Sequence, residues 1–79
     1  MAEVKERVTQ ILVSKLGIKE TEITDEANFI KDLGMDSLDY AEVVMEFEQA
    51  FDIQIPDHDA ENLITVGKAI QYISSKTSA

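Results

Sequence analysis

An all-α fold is predicted from three features of the sequence: a small four-helix bundle of three main helices and one short helix, with a long first loop. Apolar residues recur at helical spacing in three separate stretches. Glycine, aspartate and threonine stand where those stretches should begin or end. The length of 79 residues and a hydrophobic content of 44% allow one domain with one modest core, expected to take in the whole of 1–79.

The elements follow in order. Val4, Val8, Ile11, Leu12 and Leu16 predict a helix over about residues 3–16. Gly17 is its stop, and Lys15 sits in the last turn, where the helix dipole favours a cation. Residues 17–35 keep no period, although Ile18, Ile23, Phe29, Ile30 and Leu33 lie among them. So long a loop is unusual in a compact domain, so its apolar side chains are expected to pin it to the core. A short helical turn after Thr24 is left open. Residues 37–51 place Leu38, Ala41, Val44, Met45 and Phe51 on one broad face, flanked by Val43 and Phe47. Ile53-Gln54-Ile55 reads as extended, because Pro56 restricts the residue before it. Asp57 is expected to cap a short helix ending near Asn62. Thr65 is expected to cap the last helix, whose apolar stripe is Val66, Ala69, Ile70 and Ile73. Gly67 in its first turn would allow close packing, and the polar tail from Ser74 is expected to fray.

Composition removes several functions. With no cysteine there is no disulfide, thiolate metal site or cysteine nucleophile. No apolar run approaches the length of a membrane span. Glu3, Lys5, Glu6 and Arg7 are incompatible with a secretory signal, so a cytoplasmic location is the expectation. Sixteen acidic residues against seven basic ones give a net charge of −9. Such a surface repels nucleic acid and anionic membrane, attracts basic proteins and favours a monomer. The acids are concentrated. Between Asp32 and Gly67 there is no lysine or arginine, while Asp32, Asp36, Asp39, Glu42, Glu46, Glu48, Asp52, Asp57, Asp59 and Glu61 all fall there.

The segment Gly34-Met35-Asp36-Ser37-Leu38 sets one serine hydroxyl just after a glycine turn, where a helix begins. Free backbone N–H groups and the helix dipole favour a negative group at such a point. Capping explains part of it, with Asp36 as N-cap and Asp39 in the first turn. A hydrolase nucleophile would need a base and an oxyanion hole. The glycine-x-serine-x-glycine elbow is missing, and the one histidine, His58, reads as a surface residue. A calcium loop fails too. Counting from Asp32, Gly34 falls on the third position and Ser37 on the sixth, where a ligand and a glycine are needed. No specific metal site is expected, although Asp36 and Asp39 would attract divalent cations weakly. Asp39, Glu42 and Glu46 line one helix face, and Glu48 and Asp52 repeat the like-charge spacing. That repulsion reads as uncompensated, which points to a docking face for cationic partners.

At these residues the chain resembles the acyl carrier proteins of the discrete, fatty-acid-synthase type. Asp36-Ser37-Leu38 matches the core of the family motif, preceded by Asp32-Leu33-Gly34 and followed by Asp39. Glu42 through Met45, Phe51-Asp52, Ile55-Pro56-Asp57, Ala60-Glu61 and Thr65-Val66 match in family order and spacing, so the resemblance runs from Val8 to Ile73. It implies a carrier without catalytic residues, whose Ser37 receives 4′-phosphopantetheine from coenzyme A through a phosphopantetheinyl transferase. Acyl groups then ride as thioesters on the arm. Asp36, Leu38 and Gly34 would flank the attachment point, with Gly34 leaving space beside it. Asp36, Asp39, Glu42, Glu46 and Glu48, with Leu38 and Met45, would dock fatty-acid synthase enzymes and acyltransferases bearing basic patches. Phe29, Val43, Val44, Met45, Phe47, Leu63 and Ile64 would line the acyl pocket or form ordinary core.

The departures lie around the motif. Tyr40 and Ala41 follow Asp39 where fatty-acid carriers often have a small polar residue and then valine, Met35 replaces a common alanine, and Glu46 adds an acid. These changes alter the motif's rim, with Tyr40 affecting partner choice and Ala41 widening the pocket. They keep open a specialised carrier for polyketide, aminoacyl or D-alanyl groups. A chain beginning at Met1 suits a freestanding carrier, in the cytoplasm or in a plastid. The contrasting reading is an unmodified acidic helical adaptor for a basic protein.

Overall fold

The computed structural model describes residues 2–77, which form four α-helices: α1 (Ala2–Leu16), α2 (Ser37–Phe51), α3 (Asp57–Ala60) and α4 (Val66–Thr77). The predicted three long helices and one short helix are all present. α1 packs on both α2 and α4. Val8 and Leu12 of α1, Val43 and Phe47 of α2, and Val66, Ala69 and Ile73 of α4 are buried to within 1% of full exclusion from solvent. Burying each large apolar side chain contributes about 1.5–3 kcal/mol, so this seam carries most of the stability.

The helix ends follow their local chemistry. The Gly17 N–H donates to the Val13 carbonyl at 2.8 Å and closes α1. Asp36 caps α2, accepting the Asp39 N–H at 2.8 Å. Thr65 Oγ1 accepts the Lys68 N–H at 3.3 Å at the start of α4. Asp57 does not cap α3 as expected. The N-cap is Pro56 and Asp57 is the first helical residue, where its charge still complements the dipole. Nor does helix end at Ser74. α4 runs to Thr77, whose hydroxyl donates to the Ile73 carbonyl at 3.0 Å, while the Lys76 ammonium lies 5.4 Å from the centre of the Tyr72 ring. The rest of the expected frayed tail, Ser78 and Ala79, lies outside the described residues.

The long first loop is pinned, as its apolar content predicted. Ile23, Ala27, Phe29 and Met35 are buried. A single 3-10 turn at Glu20–Glu22, absent from the sequence reading, precedes an ordinary turn in which the Ala27 N–H donates to the Thr24 carbonyl. Backbone bonds then stitch the loop to the start of α4. Phe29 N–H donates to Ile64 O at 3.1 Å, Val66 N–H to Ala27 O at 3.0 Å and Gly67 N–H to Asp25 O at 2.8 Å. Gly67 is needed for this approach, since a Cβ there would stand 2.9 Å from the Asp25 carbonyl oxygen. Ile30 is the exception among the loop's apolar residues. It faces solvent at 47% exposure, because the Asn28 side chain accepts the Ile30 and Lys31 N–H groups and turns the chain outward.

Candidate functional site

The start of α2 is built by a short relay from the core. Phe29 is 1% exposed, and its carbonyl accepts the Met35 N–H at 3.1 Å. Met35 is itself 2% exposed, so it is a core peg and does not belong to the motif's rim. Between them Gly34 turns the backbone at φ 71°, a region costly for any residue with a Cβ. A Cβ on Gly34 would meet nothing within 4 Å, so the glycine answers a conformational need and not a need for space. After the Met35 peg the chain surfaces, and Asp36, Ser37 and Leu38 are all exposed.

Ser37 is thus the first residue of a 15-residue helix, with its hydroxyl on open ground. The Tyr40 N–H is taken by the Asp36 carbonyl and the Asp39 N–H by the Asp36 side chain. The positive end of the α2 dipole remains available to an anionic group on Ser37. These features fit a phosphodiester at that oxygen.

The acidic residues of this face differ in exposure and in what engages them. Asp36, Glu42 and Glu46 are exposed, and so are Leu38 at 68% and Met45 at 57%. Glu48 is engaged. Its carboxylate accepts the Ile55 N–H at 2.9 Å and its backbone carbonyl accepts the Ile53 N–H, fixing the link from α2 to α3. The face is not uncompensated, as the sequence had implied. Lys15 reaches over from α1, its Nζ 2.6 Å from Glu42 and 3.9 Å from Glu46. The hydrogen bond to Glu42 raises the Lys15 pKa above the ordinary lysine value; partial burial opposes this, and the charges of Glu42, Glu46 and Asp39 add to it. Nothing in the sequence separation of 27 residues could have paired them.

Beside the face, between α2 and α3, runs a groove of about 390 Å³ lined by Tyr40, Ala41, Val44, Met45, Ile55 and Ala60, with Glu48, Asp57 and Glu61 at its edges. Of the expected pocket residues only Val44 and Met45 line it. Phe29, Val43, Phe47 and Leu63 are closed core, and Ile64 is 48% exposed elsewhere. Ala41, singled out for its small size, does line the groove.

Tyr40 is half-buried, with its hydroxyl anchored inward. Its hydroxyl reaches the carbonyls of Ala60 at 2.5 Å and Leu63 at 2.7 Å, and its ring centre lies 5.4 Å from that of Phe29. Burial pushes its pKa up to about 12. Tyr72 does the same from α4, donating to Asp59 at 2.6 Å. Burial first, then the Asp59 hydrogen bond and the charges of Asp59 and Glu48, push its pKa up to about 12. Sequence reading missed both tyrosine anchors. The available signal was two tyrosines flanking a helix too short to bury a face of its own. His58 is exposed, as expected, 3.3 Å from Asp59. Among the described residues no group of three or more His, Asp or Glu is gathered to hold a metal ion, and no helix is long and apolar enough to cross a membrane.

The sequence model of one family, described as phosphopantetheine attachment site, matches residues 6–73. That span includes most of α1, the pinned loop, α2, α3 and most of α4. Domains of this kind bear a 4′-phosphopantetheine prosthetic group, are modified by a phosphopantetheinyl transferase and are carriers without catalytic activity of their own. With nearly the whole fold inside the match, the chain belongs to the phosphopantetheine attachment site family, as a carrier of the acyl carrier protein type.

Proposed function

We propose that Ser37 is the attachment point and that the chain delivers acyl groups to the enzymes of fatty-acid biosynthesis. One observation carries this reading. The exposed Ser37 and the apolar groove lie on the same helix, with Tyr40 and Ala41 at the groove's near end about one turn along, about 4.5–6 Å at 1.5 Å per residue. The group supplies a terminal thiol on which acyl chains are held as thioesters. The chain's own part is to present that hydroxyl at a helix start, offer a carboxylate face to basic enzymes and shelter an apolar chain against Ala41, Val44 and Met45. Asp36, Asp39, Glu42 and Glu46, with Leu38 and Met45, form the docking face. Glu48 serves the fold instead. A discrete carrier working in the cytoplasm fits this reading.

A second reading is favoured by the Tyr40 anchor and by Ala41. Together they shape the groove differently from a wall with a small polar residue and valine, which suits a carrier specialised for another acyl pathway. One experiment addresses both. Incubated with coenzyme A and a phosphopantetheinyl transferase, the protein should gain the mass of one phosphopantetheine, and Ser37→Ala should abolish the gain. The loaded protein should then accept malonyl groups from a fatty-acid-type malonyl transferase. Refusal by that enzyme would move the assignment to the specialised carrier. Absence of any mass gain would leave the acidic adaptor.

A further inference from the structure

The groove's two walls are held in different ways. The α2 wall belongs to the buried seam, with Val44 only 7% exposed. The α3 wall has no buried residue of its own. Two tyrosine hydroxyls hold it, Tyr72 on Asp59 from α4 and Tyr40 on the Ala60 and Leu63 carbonyls from α2. Tyr40 stands at a particular place. It lines the groove, and its ring meets the ring of Phe29, a core residue that the groove does not reach. It also lies three residues along from Ser37, so anything tethered there and entering the groove passes it first.

We infer that Tyr40 is a specificity-determining residue that limits how deeply this carrier takes in an acyl chain. Its ring is the partition between the groove and the Phe29–Val43–Phe47 core, and its hydroxyl latches the α3 wall shut. An acyl chain is therefore held along the surface of α2, against Ala41, Val44 and Met45, and does not enter the bundle. Chains longer than the groove leave their ends outside it, exposed to solvent and to partner enzymes. Widening the path requires losing the hydroxyl's one hydrogen bond, shared between the Ala60 and Leu63 carbonyls, and displacing the ring from Phe29. Each is a modest interaction alone, but both must be lost together. The inference rests on the acyl-carrier reading above for its ligand, but the latch itself does not depend on it.

The test compares wild type, Tyr40→Phe and Tyr40→Val. Melting curves first confirm that each folds. Amide exchange is measured on the unmodified chains. Tyr40→Phe keeps the ring and loses the latch, so amides of Asp59 through Asn62 should exchange faster while those of Val43, Val44 and Phe47 do not change. Equal exchange in the two proteins overturns the latch. Phosphopantetheine-loaded proteins are then charged with saturated acyl chains of increasing length and followed by amide shifts and by hydroxylamine release. In wild type, shifts should stay at Ala41, Val44, Met45, Ile55 and Ala60, and release should stop slowing once the groove is filled. In Tyr40→Val, release of the longest chains should slow several-fold further, with shifts spreading to Phe29 and Val43. Wild-type shifts at Phe29 and Val43 that grow with chain length, or unchanged release in Tyr40→Val, overturn the partition. Failure to load phosphopantetheine at all would sink the carrier reading instead, and the mass spectrum separates that result from the others.

Discussion

α1, α2 and α4 are held together by apolar burial, whereas α3 is held by side-chain hydroxyls. The first group contributes Val8, Leu12, Val43, Phe47, Val66, Ala69 and Ile73 to a closed core. α3 contributes no buried residue and is tied down by Tyr40 and Tyr72, with Ile55 and Leu63 buried on either side of it. A buried large apolar side chain is worth about 1.5–3 kcal/mol and a hydrogen bond about 1 kcal/mol net, so the two regions differ in how readily they open. The contrast separates two tasks. A carrier needs its attachment residue presented in a fixed way, and Ser37, proposed above for that role, starts a helix seated in the closed core through Val43, Val44 and Phe47. It also needs a wall that can give when a ligand arrives, and α3 belongs to the easily opened part of the fold.

Four perturbations break or sharpen this contrast. The largest effect should come from Phe47→Ala, which removes a side chain 1% exposed and should cost about 3–5 kcal/mol, unfolding all four helices in one urea transition. Separate transitions for α2 and α4 would contradict a shared core. Next, Asp36→Ala removes the cap that accepts the Asp39 N–H and should cost about 1 kcal/mol in the same titration, with the first turn of α2 loosened.

High pH should act on α3 in particular. Tyr40 and Tyr72 have their pKa values pushed from 10.0 to about 12 in the fold. The folded state thus favours the protonated phenols. Their contribution is complete below pH 10 and is lost as pH climbs from 10 to about 12. Lys15, also raised, loses its bridge in the alkaline range as well, so the comparison must keep it constant. Tyr40→Phe retains Lys15, and its melting temperature should fall less between pH 10 and pH 12 than that of wild type. Parallel falls in the two proteins would dissociate Tyr40 from the alkaline loss. The smallest effect belongs to Lys15→Gln. The ion pair is solvent-exposed and screened, so stability should drop only slightly, and less at high salt. Freed of Lys15, Glu42 and Glu46 should bind a basic partner such as a phosphopantetheinyl transferase more tightly at low salt, as read by titration. Weaker binding would make Lys15 part of the docking surface.

The helices were legible because their cause is local. Val4 to Leu16, Leu38 to Phe51 and Val66 to Ile73 carry their periods in the chain itself, and Asp36 and Thr65 cap the helices they precede. The position of Ser37 at a helix start was legible for the same reason, since it depends on the residue's own neighbours. The groove was not. Its walls are set by Tyr40 reaching carbonyls 20 and 23 residues away, and no periodicity encodes that distance. Phe29, Val43, Phe47 and Leu63 were grouped with the pocket because apolar residues look alike until packing divides them into lining and core. The Lys15–Glu42 pair was hidden likewise, because the angle between α1 and α2 is a tertiary property.

Amide hydrogen exchange on the wild-type protein tests the division of labour most directly. Asp59, Ala60, Glu61 and Asn62 should exchange by a local opening, well before Val43, Val44 and Phe47, whose exchange should follow global unfolding. If the two sets instead exchange together at every denaturant concentration, α3 is as firmly held as the core, and a fixed helix for Ser37 beside a yielding wall is the wrong description.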